Sequence, residues 1–457
     1  MSVTAPGGFV AAGGPGGIKS ADALDVAVVA TADGAAVPAA GVFTSNLATA
    51  APVQVSQAHL AATGGRAAGV IHTSGNANAA TGAPGREAAE RLCAGVAHGI
   101  GAQSPDEILV CQTGLIGVPF PIDTVEPRLA GIVASRASSA DAACRAARAI
   151  MTTDTAPKEV TVSGVGFTVG GMAKGAAMLA PNMATMLAVC TTDAAVEPDN
   201  LRKALLEAVD ASFNAITVDG CTSTNDTVLV LASGTAASPR PGALVEVLTA
   251  ACRSLAEQMV ADAEGSTKVA HIRVRGADSD ATAQRAARKV ADSMLVQCSL
   301  NGCDPYWGRI VSELGSAGTP FDPDKVSVAY GGTVVCAAGM AVAHDEAVVS
   351  AHMAGCHIEI DCDLGLGSGE AVVLGRTSAT ATSTRTGRRR DDAGGGLGAS
   401  EADAGPEGRG CEDRLGARRG PALYPALLGE GGRRQVRRQR AARLHRGRRG
   451  SRGDRGR

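Results

Sequence analysis

A threonine surrounded by three methionines and a proline lies within KGAAMLAPNMATMLAVCTTDA, the stretch from Lys174 to Ala194. Thr185 follows Ala184 and precedes an apolar run, 186–190, that is typical of a buried strand. A threonine hydroxyl is a weak nucleophile unless a base lies beside it. The closest base is the residue's own α-amine, which titrates at about 7.7–8.0 but exists only once the 184–185 peptide bond is broken. The stretch therefore favours either an N-terminal threonine nucleophile released by self-cleavage or a buried strand threonine.

Two further features of the sequence, one within this stretch and one earlier in the chain, suit the same chemistry. Lys174 offers a cation for a substrate carboxylate, or one that lowers the pKa of a new amine; the alternative is a lysine whose stem packs on the core. In CQTGLIG, residues 111–117, Thr113 and Gly114 end a predicted strand. A hydroxyl and a glycine amide in that position can stabilise an oxyanion, although an ordinary glycine turn has the same sequence.

Two polar segments complete the candidate site. MTTDTAPK, residues 151–158, contains Thr152 and is interpreted as a loop that ends a helix or binds a polar substrate. DAEGSTK, residues 262–268, places Glu264 at a predicted helix C-terminus, where the helix dipole disfavours a carboxylate. Glu264 is thus either simply exposed or placed to bind a cationic substrate group.

Composition excludes several classes of protein. The 457 residues are 45% hydrophobic but only 2% aromatic, with 59 glycines, so the core must be built from small aliphatic side chains and methionine. No uncharged apolar run of about 18 residues is present, and no secretory signal is evident at the N-terminus. The cysteines lack zinc or redox spacing, so free buried thiols and no metal site are expected. No cofactor is expected either. These features predict a soluble cytoplasmic protein that does not bind a membrane.

Predicted strands and helices alternate along most of the chain. Apolar runs bounded by turn residues predict strands at 25–31, 67–73, 107–114, 227–234 and 270–276. Amphipathic stripes predict three helices, at 199–213 with Asp199 as N-cap, at 244–265 ending at Gly265, and at 280–295. Layered sheets covered by helices, an α/β class, are expected from this order.

Ten segments together resemble the glutamate N-acetyltransferase family, also called ornithine acetyltransferases, across residues 7–371. The segments, in chain order, are GGFVAAGGPGGIK, GVFTSNLATAAPV, SGNANAATG, VCQTGLIG, AIMTTDTAPK, TVGGMAKGAAMLAPNMATMLAVCTTDA, VDGCTSTNDTVLVLASG, QMVADAEGSTK, DPYWGRI and IDCDLGLGSGEA. The resemblance implies a self-processing architecture similar to that of N-terminal-nucleophile proteins.

The resemblance also implies a reaction and a set of site residues. The precursor is expected to cut itself between Ala184 and Thr185, giving an α chain of residues 1–184 and a β-chain core of residues 185–371. Thr185 then accepts the acetyl group of N-acetylornithine as an ester and passes it to glutamate, the ping-pong cycle of covalent catalysis. Thr113 and Gly114 are expected to form the oxyanion hole, and the substrate site is expected to be lined by Thr152, Lys174, Thr185 and Glu264.

Assembly and co-substrates are expected from the family as well. Two α and two β chains are expected to associate as a heterotetramer in the arginine biosynthesis pathway. Some family members are multifunctional and also take acetyl groups from acetyl-CoA, so acetyl-CoA is a candidate co-substrate. The sequence itself does not decide between these two acetyl donors.

The last part of the chain has a different composition. Residues 385–457 contain 20 arginines, no lysine and 9 acidic residues, a net charge of +11, which leaves −13 on the rest. Residues 372–457 lack the closing polar motif of the family. If codons permitted for TSATATSTRT, residues 377–386, are read in a shifted frame, they can encode a sequence that resembles this motif. In the same frame QVRRQR, residues 435–440, can encode a sequence that resembles the glycine-rich phosphate loop of acetylglutamate kinase. A frameshift near residues 370–376 is the preferred hypothesis. A disordered arm and a segment that binds polyanions are the alternatives, and a nucleic acid is not the expected partner.

Two other functions remain open from the sequence. An amidase or aminopeptidase would use the same N-terminal threonine but water as the acceptor. An inactive, basic-tailed protein would result if the altered C-terminal part removes an essential portion of the site.

Overall fold

The computed structural model describes residues 2–177 and 186–377 of the chain. The strands in that part are β1 (Phe9–Gly14), β2 (Val26–Thr31), β3 (Val37–Phe43), β4 (Arg66–Ala67), β5 (Gly69–Asn76), β6 (Ile108–Leu115), β7 (Lys158–Ser163), β8 (Thr168–Lys174), β9 (Leu187–Thr192), β10 (Thr227–Ala232), β11 (Val269–Ala277), β12 (Ser327–Tyr330), β13 (Thr333–Ala337), β14 (Met340–Ala341), β15 (His357–Asp363) and β16 (Gly369–Arg376).

The helices connect and cover these strands. They are α1 (Ala51–Ala62), α2 (Gly82–Ile100), α3 (Ile122–Ala134), α4 (Ala140–Ala149), α5 (Pro198–Asp210), α6 (Ala243–Ala261), α7 (Asp280–Asp292), α8 (Met294–Asn301), α9 (Trp307–Gly315) and α10 (Glu346–Met353). No helix in the described ranges is both long and apolar enough to cross a bilayer.

Two sheets lie face to face in the first part of the fold. The first has the order β1-β2-β5-β6, and the second has the order β4-β3-β10-β9-β8-β7. Small and aliphatic side chains from both sheets, such as Val29 and Leu109 of the first and Met172 and Leu229 of the second, form one buried cluster between them. Such uninterrupted apolar strands are expected where both faces of a sheet are covered.

Helices cover the outer faces of this pair. The apolar sides of α2 and α3 pack on the first sheet, and those of α5 and α6 pack on the second. The result is a four-layer arrangement of helix, sheet, sheet and helix. The α/β class predicted from the sequence is therefore confirmed.

A third sheet follows in the chain, with the order β14-β13-β12-β15-β11-β16. Helices α7 to α10 form a separate core on this sheet, in which Met353 of α10 and Tyr330 of β12 are buried. Its edge strand β16 runs antiparallel to β11 from Gly369 to Arg376, so regular pairing continues beyond residue 371. The predicted division into residues 1–184, 185–371 and 372–457 stays a prediction, and the tail from residue 378 onward lies outside the described residues.

The predicted strands at 25–31, 107–114, 227–234 and 270–276 correspond to β2, β6, β10 and β11, and the strand predicted at 67–73 corresponds mainly to β5. Short apolar runs bounded by turn residues located these strands correctly.

The helices predicted at 199–213 and 280–295 end earlier than predicted, at Asp210 and Asp292.

Two residues predicted to begin or end a helix were also wrong. Asp199 is not the N-cap of α5, because Pro198 already occupies the first turn and Glu197 is the capping residue. Proline is favoured in a first turn since its missing N–H would have had no intrahelical partner there. Helix α6 ends at Ala261 instead of Gly265, so Glu264 lies in the turn after the helix and not in its last turn.

Candidate active site

The residues predicted to do chemistry converge at one end of the neighbouring strands β8, β9 and β10 of the second sheet. Lys174, the last residue of β8, pairs with Leu187, the first residue of β9, and Leu187 pairs in turn with Thr227 at the start of β10. Residue 186 therefore enters the sheet between the end of β8 and the start of β10. Ala184 and Thr185, the predicted cleavage site and nucleophile, lie outside the described residues.

Lys174 reaches across to the facing sheet. Its side chain is 4% exposed, and its Nζ donates a hydrogen bond to the Thr113 hydroxyl oxygen at 3.3 Å. Thr113 lies near the end of β6, on the face of the first sheet that packs against the second, and is itself 6% exposed. Because its oxygen accepts from Lys174, the Thr113 hydroxyl retains its own hydrogen to donate to another group.

Gly114 has a backbone conformation that favours glycine. Its φ is +134°, and a Cβ at this position would lie 2.2 Å from the carbonyl carbon of Gly75 on the neighbouring strand β5. The pairing of β5 with β6 becomes irregular at this point. The two strands thus approach closely beside Thr113, and a side chain at residue 114 would force them apart.

Thr152 is held by a neighbouring buried carboxylate. The Asp154 Oδ2 atom accepts a hydrogen bond from the Thr152 amide at 2.9 Å. The Asp154 Oδ1 atom accepts from the Gly175 amide at 2.8 Å, directly after Lys174. One carboxylate therefore joins the loop of Thr152 to the end of β8.

A buried lysine extends this connection to α6. Lys158 is 2% exposed, and its Nζ lies 2.7 Å from Asp154 Oδ1 and 2.5 Å from Asp262 Oδ2. Asp262 follows the last residue of α6 and also accepts from the Thr155 amide at 2.9 Å. These three residues, Asp154, Lys158 and Asp262, are called the ion-pair network below.

Glu264 approaches the same place through its backbone. Its amide donates to the Ala176 carbonyl oxygen at 2.7 Å, two residues beyond Lys174. Its side chain is exposed, which is one of the two interpretations that the sequence left open. The structure thus brings Thr113, Gly114, Thr152, Lys174 and the Glu264 backbone into one region.

Residues 10–377 match the model of the ArgJ family. The chain belongs to the ArgJ family. A relative from Thermobifida fusca named arginine biosynthesis bifunctional protein ArgJ is 44% identical over 367 residues, which cover 79% of this chain and 93% of that relative. The protein of the same name from Mycobacterium tuberculosis (strain ATCC 25618 / H37Rv) is 45% identical over 346 residues, 74% of this chain and 85% of its own length.

Solved structures of ArgJ proteins are also similar to this chain. One is the arginine biosynthesis bifunctional protein ArgJ from Bacillus halodurans, with 32% identity and a TM-score of 0.40, covering 43% of this chain and 94% of that one. Another is the ornithine acetyltransferase of Mycobacterium tuberculosis complexed with ornithine, with 42% identity and a TM-score of 0.38, covering 40% of this chain and 95% of that one.

The predicted family resemblance is confirmed by the ArgJ match. The chain is accordingly an acyltransferase of arginine biosynthesis. The ArgJ match ends at residue 377, which is also where the described part of the structure ends.

Burial and charge set the protonation of the ArgJ site. Burial lowers the pKa of Lys174, and Lys158 acts in the same direction, while Asp154, Asp226 and Glu264 oppose the shift. Burial also acts to raise the pKa of Asp154, but Lys174, Lys158 and the Thr152 amide outweigh it, so that this pKa lies well below its ordinary value. Asp154 is therefore ionised at neutral pH.

Two neighbouring residues that the sequence analysis did not single out belong to this region. Asn225 donates to the carbonyl oxygen of Gln112, the residue before Thr113, at 2.9 Å. Asp226 Oδ1 accepts from the amide of Met186, the residue after Thr185, at 2.9 Å. Both lie in the motif VDGCTSTND, where an Asn-Asp pair before an apolar strand was the available signal.

Proposed function

We propose that this chain cuts its own Ala184–Thr185 bond and then transfers acetyl groups from N-acetylornithine to glutamate through an acetyl ester on Thr185. The observation that carries the proposal is the buried hydrogen bond from Lys174 to Thr113, made where β9 begins two residues after Thr185. A cation and a hydroxyl donor thus lie beside the chain segment that enters β9, and the hydroxyl donor is followed in its strand by a position that only glycine fits.

The proposed transfer uses these groups in a fixed order. The Thr185 hydroxyl attacks the acetyl carbonyl carbon while the Thr185 α-amine takes its proton. Thr113 and Gly114 stabilise the negative charge that develops on the carbonyl oxygen, the contribution expected of preorganised donors in a dry site. The protonated α-amine returns the proton to the leaving nitrogen as the C–N bond breaks, and ornithine departs. In the second half of the cycle the amine of glutamate attacks the ester, the ester C–O bond breaks, and the proton lost from the glutamate nitrogen passes through the α-amine to the Thr185 oxygen.

Lys174, Thr152 and Glu264 are proposed to bind the amino-acid portion of the substrate. A buried ammonium suits a substrate carboxylate, and the Glu264 carboxylate suits the side-chain ammonium of ornithine. The ion-pair network supports this arrangement because it connects the three segments that carry these residues. Two α and two β chains are proposed to assemble into a heterotetramer, and acetyl-CoA remains a candidate second donor.

Transfer is tested with the full chain and two Thr185 variants. Thr185→Ala is expected to lose both the cut and the transfer, whereas Thr185→Ser keeps a hydroxyl and is expected to retain both at a lower rate. Thr63→Ala, at the end of α1, is the matched control and is expected to behave as the unmodified chain. The measurement is ornithine release from N-acetylornithine with and without glutamate.

The outcomes separate the candidate functions. Glutamate-dependent ornithine release and N-acetylglutamate formation support transfer. Equal release in the absence of glutamate would identify an amidase instead. A Thr185→Ala protein that is still cut and still transfers acetyl groups would contradict the proposal.

A further inference from the structure

Asp226 is a buried carboxylate with one oxygen that the fold does not satisfy. Its side chain is fully buried, and Oδ1 accepts the Met186 amide hydrogen at 2.9 Å. Oδ2 is buried as well, and no donor within residues 2–177 and 186–377 meets hydrogen-bond geometry with it, although Ser223 is close enough to act on the pKa of Asp226. Because an unsatisfied buried polar atom costs about 1–3 kcal/mol, its presence calls for a role other than packing.

That carboxylate borders the candidate active site directly. A narrow crevice is lined by Thr113, Lys174, Met186, Leu187, Asn225 and Asp226. The crevice therefore contains the predicted oxyanion donor, the predicted cation and one carboxylate. The amide that Asp226 holds belongs to the peptide bond that directly follows Thr185 in the chain.

Other nearby carboxylates are less suited to react. Both oxygens of Asp154 already accept hydrogen bonds, from Lys158, Gly175 and Thr152. The side chain of Glu264 is exposed. Asp226 alone among these three has a buried oxygen without a partner in the described part of the chain.

Self-cleavage needs a base that the uncut chain does not obtain from residue 185. Before the cut, the nitrogen of Thr185 is part of a peptide bond, and its lone pair is delocalised into the carbonyl group. The α-amine that serves the later transfer steps is therefore absent during the first cut. Another group must accept the hydroxyl proton at that stage.

We propose that Asp226 is the base of the self-cleavage step and accepts the hydroxyl proton of Thr185 on Oδ2. This inference rests on the proposed function, because it takes Thr185 as the nucleophile. Asp226 thereby serves a step that precedes acetyl transfer, and the Thr185 α-amine serves the transfer.

The proposed step balances in two stages. The Thr185 oxygen gives its proton to Asp226 and bonds to the Ala184 carbonyl carbon; the C–N bond then breaks, and Asp226 returns the proton to the nitrogen. The product is an ester with a new amine. One water molecule then adds to the ester carbonyl, the ester C–O bond breaks, and a carboxyl group on Ala184 and a hydroxyl on Thr185 remain.

The surroundings of Asp226 support a base stronger than an ordinary carboxylate. Burial raises its pKa well above the usual value, against the opposing effects of the Met186 amide, Ser223 and Lys174. A higher pKa brings proton affinity closer to neutral pH, where general bases work well. The nearby Lys174 ammonium favours the ionised form that must be present to accept the proton.

The test is the rate of cutting in freshly made full-length Asp226→Asn. Asparagine keeps an acceptor for the Met186 amide but takes no proton, so a purely structural role predicts no change. We expect the rate to fall by about 100-fold or more, the usual contribution of a general base. Cell-free synthesis followed by denaturing electrophoresis measures the rate. Asp199→Asn, at an exposed position in the first turn of α5, is the matched control with an unchanged rate.

A pH series with the unmodified chain covers the case in which Asp226→Asn does not fold. The charged and hydrogen-bonding groups that act on Asp226 are Lys174 on β8, the Met186 amide and Ser223. Cutting is expected to accelerate as Asp226 ionises and then to level off. A rate that stays flat between about pH 5 and about pH 9 would overturn the proposal, as would the same rise in a folded Asp226→Asn protein.

Failure of this inference can be distinguished from failure of the proposed function. If Thr185→Ala is still cut, Thr185 is not the nucleophile and the proposed function fails. If Thr185→Ala stays intact while Asp226→Asn is cut as fast as the unmodified chain, only the role of Asp226 is refuted. Slow cutting in Asp226→Asn together with an inert Thr185→Ala supports both.

Discussion

Asp154 and Asp226 are two buried carboxylates that both interact with Lys174 but differ in their other neighbours. Asp154 is paired with Lys158 at 2.7 Å, and each of its oxygens accepts a backbone amide hydrogen. Asp226 accepts the Met186 amide on one oxygen and has no partner for the other among the described residues. Burial acts to raise both pKa values, but Lys174 and Lys158 outweigh it at Asp154 and lower that pKa, whereas burial prevails at Asp226 and raises its pKa.

This difference distinguishes a carboxylate that stabilises the fold from one that is suited to proton exchange. A carboxylate with every lone pair engaged holds segments together and stays ionised. A buried carboxyl group with an unused oxygen is poorly placed for stability and well placed to exchange a proton. In this chain the first kind lies behind the substrate-binding residues, and the second kind borders the crevice next to the predicted cut.

The largest effect that sharpens this comparison is expected for Lys158→Met. Removal of the ammonium leaves the buried Asp154 and the partly exposed Asp262 without the cation that pairs with both, which costs about 3–5 kcal/mol in the free energy of unfolding. Urea unfolding measures the loss. Lys325→Met removes an exposed cation 3.6 Å from Asp322 and is the matched control, with an expected loss below about 1 kcal/mol. Equal losses in the two variants would show that the ion-pair network does not stabilise the fold.

A smaller effect is expected when the two aspartates are exchanged for asparagine. Asp154→Asn breaks the charge balance with Lys158 and is expected to lower the free energy of unfolding by about 2–4 kcal/mol. Asp226→Asn replaces a carboxyl group that burial already disfavours in its charged form, so the free energy of unfolding is expected to fall by no more than about 1 kcal/mol. Thermal unfolding of both folded variants measures this contrast. A loss in Asp226→Asn as large as that in Asp154→Asn would mean that Asp226 is structural.

The smallest effect is a difference in pH dependence. The folded-state pKa of Asp154 is lowered, so its stabilising contribution is present above the unfolded value of about 3.9 and is lost as pH falls. The folded-state pKa of Asp226 is raised, so its favourable contribution is present below about 3.9 and is lost as pH rises toward the folded value.

The two asparagine variants should therefore diverge in opposite directions. As pH rises from about 3, Asp154→Asn loses stability relative to the unmodified chain, and Asp226→Asn gains it, by at most about 1.4 kcal/mol per pH unit. Urea unfolding at several pH values follows both differences. Parallel curves for the two variants would contradict the assigned protonation states.

Much of the architecture could be predicted from local sequence. Strands β2, β6, β10 and β11 are short apolar runs between turn residues, and helices α5 to α7 carry regular apolar stripes. The helix ends were less predictable, because proline at residue 198 displaced the cap that Asp199 suggested. Local patterns determine which elements form but do not determine how two sheets pack face to face.

The candidate site was predictable only in part. Family resemblance singled out Thr113, Lys174 and Thr152, and the structure places them in one region. The partners that hold them are distant in sequence: Lys158 and Asp262 are 104 positions apart, and Lys174 and Thr113 are 61 apart. A sequence pattern does not show that Asp154 is fully paired and Asp226 is not, because only the folded chain determines which lone pairs remain unused.

The most direct test of the account is an intact mass measurement of the purified protein after incubation with N-acetylornithine alone. Two fragments are expected, one of which begins at Thr185 and gains the mass of one acetyl group, and glutamate is expected to remove this group. A single uncut chain that still transfers acetyl groups at the rate of other ArgJ enzymes would contradict the central claim.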